Sequence, residues 1–198
     1  MLADCADRLV QIFAKKRADD LRMLFNRAFL PLGHDLIQPA RALHGAEPIL
    51  IDLVEERLSF ARSLGVRYTI NLKNDNLVEK VREYTNGRMA ECVMEASGAN
   101  AAIRATLDIA SHAGRIALTG WPKQETPLPT DMITKKELDV RGARTSAGEF
   151  EEAVDIIYNN KVPVRALLTK VISVDEAPAV LQDIEKNPGN YLKVNVLF

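Results

Sequence analysis

The run Pro48-Ile49-Leu50-Ile51-Asp52 is a short apolar segment closed by a carboxylate, and that placement suits sugar recognition. A carboxylate at the end of a parallel strand can accept both hydroxyl protons of an adenosine ribose. It also repels a 2'-phosphate, which favours NAD over NADP. The same residue could instead cap the helix beginning near Val54, and one side chain can serve both ends. Arg57, one helical turn on, would set a guanidinium beside the same ribose. Its alternative is an ordinary solvated helix charge, worth little as an ion pair.

Other reactive residue types offer less. Met23-Leu24-Phe25, followed by Pro31-Leu32-Gly33 and Leu36-Ile37-Gln38, has the strand, loop and helix-start spacing of a phosphate loop. Of the three glycines such a loop uses, only Gly33 is present, and Phe29 stands where backbone must approach a pyrophosphate. Pro39 inside the following helical pattern removes a hydrogen bond and costs on the order of 3 kcal/mol. Dinucleotide binding is therefore expected to be weakened. His34, His44 and His112 pair with no acid or nucleophile, so no catalytic residue is assigned. Cys5 and Cys92 form no C-x-x-C pair, and no Cys/His/Glu set has metal spacing, so no metal ligand is assigned.

The elements that must position these residues follow from apolar periodicity. From Glu47 onward short apolar runs alternate with segments of helical spacing, the pattern of βαβ units around a parallel sheet. Strands are expected at Met23-Leu24-Phe25, Pro48 to Asp52, Tyr68 to Ile70, Cys92 to Met94, Arg115 to Gly120 and Leu138 to Gly142. Helices are expected over Val54 to Leu64, Asp75 to Tyr84 with Asp75 as its cap, and Ala101 to Ala113 closed by Gly114. Trp121 to Pro129 is proline-rich and reads as loop. Helices at Gly148 to Tyr158 and Val174 to Glu185 and a strand at Tyr191 to Phe198 make a tail belonging to another layer. The fold class is α/β, a doubly wound parallel sheet with a C-terminal helix-strand extension.

The 198 residues are 47% hydrophobic and 27% charged, enough for a substantial core without metal or disulfide staples. A net charge of -1 with interspersed signs leaves no footprint for nucleic acid or an anionic membrane. No apolar run approaches the ~20 residues that span a bilayer, and no signal-peptide pattern opens the chain. A cytoplasmic protein is expected.

Taken in order, Leu36-Ile37-Gln38, Ala40-Arg41-Ala42-Leu43, Gly45-Ala46-Glu47-Pro48, Asp52 and Glu55-Glu56-Arg57-Leu58 resemble the first coenzyme-binding unit of medium-chain, zinc-dependent alcohol and polyol dehydrogenases. Glu95-Ala96-Ser97-Gly98, Gly114-Arg115-Ile116 through Gly120-Trp121-Pro122, Arg141-Gly142-Ala143-Arg144 and Tyr191-Leu192-Lys193-Val194 extend the resemblance, which best fits the sorbitol and sugar-acid branch. It implies a lead-in at residues 1–22, a dinucleotide-binding Rossmann domain at 23–146, and a C-terminal segment at 147–198 that returns to the family's catalytic domain.

The resemblance further implies that Asp52 and Arg57 hold the adenosine ribose and that Ser97 and Gly98 line the cofactor cleft. Thr119, Gly120 and Trp121 would lie beside the nicotinamide ribose, with Ala143, Arg144 and Thr145 offering backbone groups to the carboxamide. Family members oxidise an alcohol bound to zinc, whose charge eases loss of the hydroxyl proton before hydride leaves. The zinc ligands belong to a domain upstream of Leu2-Ala3-Asp4-Cys5, so zinc is expected to be absent here. The stretch from Ala6 to Phe29 keeps the family's length without its chemistry, which fits either a decayed gene or a shifted reading frame.

Two further readings stand beside this one. A catalytically inactive module could dimerise through an exposed sheet edge, giving a homo-oligomer. A methyltransferase also places an acid after its second strand, although the stretch from Arg141 onward fits the dehydrogenases better.

Overall fold

The computed structural model describes residues 22–26, 47–143, 150–159 and 164–198. The described residues build a six-stranded sheet from β1 (Arg22–Asn26), β2 (Glu47–Asp52), β3 (Tyr68–Asn71), β4 (Ala90–Glu95), β5 (Ala110–Leu118) and β6 (Asp139–Gly142). The strand order is β3-β2-β1-β4-β5-β6 and every pairing is parallel. Leu24 of β1 stands opposite Ile49 on one side and Val93 on the other, so β1 joins the two halves of the sheet.

Strand composition explains this arrangement. Ile49 and Ile51 are fully buried and Leu50 nearly so, although successive side chains point to opposite faces. Both faces of β2 are therefore covered, as a parallel sheet requires. Each such aliphatic side chain contributes roughly 1.5–3 kcal/mol by leaving water. Ile70, Val81, Val93, Leu107, Ile109 and Ile116 complete the same core.

The described helices are α1 (Glu55–Ser63), α2 (Leu77–Tyr84), α3 (Asn100–Ile109), α4 (Thr130–Lys136), α5 (Phe150–Tyr158), α6 (Val164–Leu167) and α7 (Ala177–Lys186). In α1, Glu55 and Glu56 occupy the first turn and Arg62 the last, which matches the helix dipole, while Leu58 and Ala61 turn inward. None of the described helices is long and apolar enough to cross a membrane.

Several local expectations are corrected. The cap of α2 is Asn76, whose side chain accepts from Glu79 N at 3.2 Å; the Asp75 carboxylate instead accepts from Asn71 N at 2.8 Å and closes the turn after β3. Helix α3 ends at Ile109, not at Ala113, because Ile109 and Ala110 are drawn into the core. Lys136 Nζ donates to the carbonyls of Leu107 at 2.7 Å and of Asp108 and Ala110 at 3.0 Å, meeting acceptors that another helical turn would have used.

Strand β5 consequently begins at Ala110, before the expected Arg115. Its pairing with β4 jumps from Ala90–Ala110 to Cys92–Arg115, so residues 111–114 form a bulge that exposes His112 and Ala113, and Gly114 closes that bulge instead of a helix. Helix α4 was not expected after the proline-rich loop. The tail holds a second parallel pair, β7 (Leu168–Ser173) and β8 (Lys193–Leu197). Its β7 was not expected either, and the helix expected from Val174 starts as a 3-10 turn over Val174–Glu176 before α7.

Candidate functional site

The parallel sheet gathers the carboxyl ends of β2, β4, β5 and β6 along one edge, where ligands of open α/β sheets bind. At the end of β2, Asp52 has a nearly buried side chain. Its Oδ1 accepts from Leu53 N at 2.6 Å and Val54 N at 2.9 Å, which turns the chain out of the strand toward α1. Its Oδ2 lies 3.7 Å from Arg57 Nη1. The turn-forming role is thus met by one oxygen, and Arg57 folds back onto the other instead of extending into solvent. Glu55, beside them, accepts from Asn71 Nδ2 at 2.8 Å and pairs with Arg62. The Arg62 hydrogen bond first, and then that from Asn71, hold the Glu55 carboxyl below its usual range.

At the ends of β4 and β5 two loops meet at backbone contact. Gly98 has φ +66°, a conformation that side chains rarely adopt, and a Cβ there would collide with the Trp121 carbonyl. A Cβ on Gly120 would strike Gly98 N and stand 2.6 Å from Glu95 Oε2. Thr119 N and Gly120 N donate to Glu95 O at 2.8 and 3.0 Å, and Thr119 Oγ1 donates to the same oxygen at 2.9 Å. Trp121 leaves this junction as an exposed residue, at 71%. Ala143, just after β6, is buried and donates from its N to Leu118 O at 2.9 Å.

The residues singled out from sequence therefore form neighbouring groups on one edge. Asp52 and Arg57 meet beyond β2, while Ser97, Gly98, Thr119, Gly120 and Trp121 meet beyond β4 and β5. Ala143 is tied to the end of β5. Strands β2 and β4 flank β1, so the two strands lie about 10 Å apart, two interstrand spacings. Gly33, Arg144 and Thr145 lie outside the described residues, as do Phe29, Pro39 and Cys5. His112 is exposed on the bulge at the start of β5, toward the opposite end of the sheet.

Glu95, at the same edge, is not among the residues singled out from sequence. It is wholly buried, and its Oε1 accepts from Ser97 N at 2.7 Å and from the Ser97 hydroxyl. A charged residue ending an apolar strand, the feature that drew attention to Asp52, was also present here. Cys92 is buried and its thiol is pushed up to about 12, chiefly by desolvation, which suits a core residue and not a nucleophile. Among the described residues no group of three His, Cys, Asp or Glu side chains could hold a metal ion, so these residues offer zinc no ligand set.

An open parallel sheet with this strand order defines the doubly wound, Rossmann-like class of α/β folds. The zinc-binding dehydrogenase family model matches residues 31–159. A zinc-type alcohol dehydrogenase-like protein of Haemophilus influenzae is 52% identical over 159 residues, covering 80% of this chain and 46% of that protein. Sorbitol dehydrogenase of Bacillus subtilis is 26% identical over 167 residues, covering 84% and 47%. The crystal structure of an Escherichia coli CFT073 alcohol dehydrogenase complexed with NADH superposes with a TM-score of 0.81 at 22% identity, covering 90% of this chain and 52% of that one. The chain belongs to the zinc-binding dehydrogenase family, and it spans about half the length of the curated relatives it matches.

Proposed function

We propose that the carboxyl edge of the sheet binds a nicotinamide dinucleotide, NAD in preference to NADP, and that the chain is the coenzyme-binding part of an alcohol or polyol dehydrogenase. Asp52 carries this reading. Its backbone-fixed carboxylate stands at the end of the strand beside the point where the sheet order reverses. An adenosine ribose offers two adjacent hydroxyl donors to such a group, whereas a 2'-phosphate would meet like charge. Arg57 restrains the carboxylate from the other side.

Gly98 and Gly120 bring the two loops together without side chains between them, which supports a role as the floor for the nicotinamide half, flanked by Ser97, Thr119 and Trp121. Ala143, Arg144 and Thr145 would supply backbone groups to the carboxamide, and Gly33 would approach the pyrophosphate. Bound NAD would provide the hydride acceptor. The sorbitol dehydrogenase likeness suggests a secondary alcohol of a sugar or sugar acid as hydride donor in a full-length enzyme. The chain alone is proposed to bind the dinucleotide without turning over alcohol.

Residues 23–146 would form the binding domain, and 147–198 would pack against the remainder of a full-length dehydrogenase. The exposed Val171, Val174, Leu181, Leu197 and Phe198 support that docking. A second reading, a non-catalytic dimerising module, draws on β6, which ends the sheet among the described residues and would offer an edge to which another copy could add.

Titration with NADH, followed by nucleotide fluorescence and by energy transfer from Trp121, separates these readings. Saturation between micromolar and sub-millimolar NADH is the expected outcome. No saturation up to several millimolar, with a dimer in light scattering, would favour the module. S-adenosylmethionine in a parallel titration should produce no change.

A further inference from the structure

Glu95 closes β4 with a fully buried side chain, and the hydrogen bonds accepted by its carboxylate and its carbonyl lead into the two loops that meet beyond β4 and β5. Its carboxylate accepts from Ser97 N at 2.7 Å and from the Ser97 hydroxyl. Gly98 N is shared between Oε1 at 3.2 Å and Oε2 at 3.1 Å. Its backbone carbonyl accepts from Thr119 N, Gly120 N and Thr119 Oγ1. One residue therefore fixes the chain leaving β4 through its side chain and the chain leaving β5 through its main chain.

The packing around it is tight. A single carbon added at Gly120 would lie 2.6 Å from Oε2 and 2.8 Å from Gly98 Cα. The carboxylate, Gly98 and Gly120 thus define each other's positions. A buried carboxylate is expensive unless its lone pairs are used, and among the described residues they are used by the Ser97 and Gly98 amides and the Ser97 hydroxyl of the proposed cleft. If Glu95 served only to stabilise the fold, an apolar side chain at the strand end would do so at lower desolvation cost.

We propose that Glu95 is a positioning residue: it holds the Ser97 and Gly98 amides and the Gly120-Trp121 backbone in the arrangement that admits a dinucleotide between the two loops. It acts through those backbone groups and touches no cofactor atom. This role rests on the dinucleotide reading above. A carboxylate is required because both oxygens face donors. An amide in its place would turn an NH2 group toward the Gly98 N–H, setting donor against donor.

The test is NADH affinity of the full chain at matched folded fraction, with folding monitored by near-ultraviolet circular dichroism. Glu95→Gln is expected to weaken binding about tenfold or more, as loss of a hydrogen bond to a charged acceptor does. Glu95→Asp keeps a charged acceptor within reach of Ser97 N, as Asp52 does for its own loop, but withdraws it from Gly98; it should fall between, roughly threefold weaker than wild type. The core variant Leu107→Ala should lower thermal stability and leave affinity unchanged.

Wild-type affinity in folded Glu95→Gln overturns the positioning role while leaving the cofactor reading intact. Should the Gln variant not be recovered folded, wild-type affinity in Glu95→Asp does the same. Affinity that falls equally in Leu107→Ala reduces Glu95 to general stability and also overturns it. A wild-type chain that binds no NADH overturns the cofactor reading itself, and the positioning role falls with it.

Discussion

Arg57 Nη1 reaches back to within 3.7 Å of Asp52 Oδ2, and only 12% and 5% of the two side chains remain exposed. An ion pair so placed keeps a carboxylate fixed at the edge of the sheet. It also keeps a cation nearby that becomes prominent if the carboxylate is removed.

Asp52→Ala should therefore weaken NADH binding by about 2 kcal/mol, roughly thirtyfold, and narrow the preference over NADPH, whose 2'-phosphate would no longer meet the Asp52 carboxylate. Parallel fluorescence titrations with the two nucleotides measure both effects. Unchanged NADH affinity would remove Asp52 from the site.

Gly98→Ala adds a carbon in a left-handed backbone position and against the Trp121 carbonyl group, 2.6 Å from its carbon. A loss of about 2 kcal/mol is expected, lowering Tm by roughly 5 °C. Gly142→Ala is the control, since among the described residues nothing beyond its chain neighbours lies within 4 Å of its added carbon, and the change should be nearly silent. Thermal melts of the two variants that coincide would remove the tight loop contact as a constraint.

Glu55 supplies a pH-dependent term. Its carboxyl is held low by Arg62 and Asn71, so the ionised form is favoured more in the folded chain than in the unfolded one. Its contribution is present above the unfolded pKa of about 4.3 and is lost as pH falls through the lower folded value. The stability difference between wild type and Glu55→Gln should accordingly be constant near neutrality and shrink under acid. Denaturant midpoints measured across that range test the sign; a difference that grows on acidification contradicts it.

Cys92 should be chemically silent in the native state. Burial pushes its thiol up to about 12, so at pH 8 almost no thiolate exists to attack a disulfide reagent. In a Cys5→Ser background, native protein should release no colour with an aromatic disulfide, and one equivalent should appear on unfolding. Rapid native labelling would mean that this part of β4 opens readily.

The sheet was legible because burial on both faces leaves almost uninterrupted aliphatic runs such as Ile49-Leu50-Ile51, and because local spacing alone separates them from helices. The place of Asp52 at the end of β2 was legible for the same reason, Asp52 being a charge that ends such a run. Glu95 ends another, but its partners Thr119 and Gly120 come from a different strand, and no local pattern announces that contact. The end of α3 was hidden likewise, since Lys136 caps it from a helix far along the chain. Strand β7 escaped notice because one face of it is exposed and its sequence mixes Thr, Lys and Ser with the apolar residues.

The central position of β1 has a consequence for synthesis. This strand is made before both of its neighbours, and its second neighbour, reached where Met23 meets Cys92, follows only after β2, β3 and their helices. An emerging chain must hold β1 without its full set of partners until that later segment leaves the ribosome. Such distant pairing makes maturation slow compared with a helical bundle of equal size, and it exposes an aggregation-prone half-sheet in the interval.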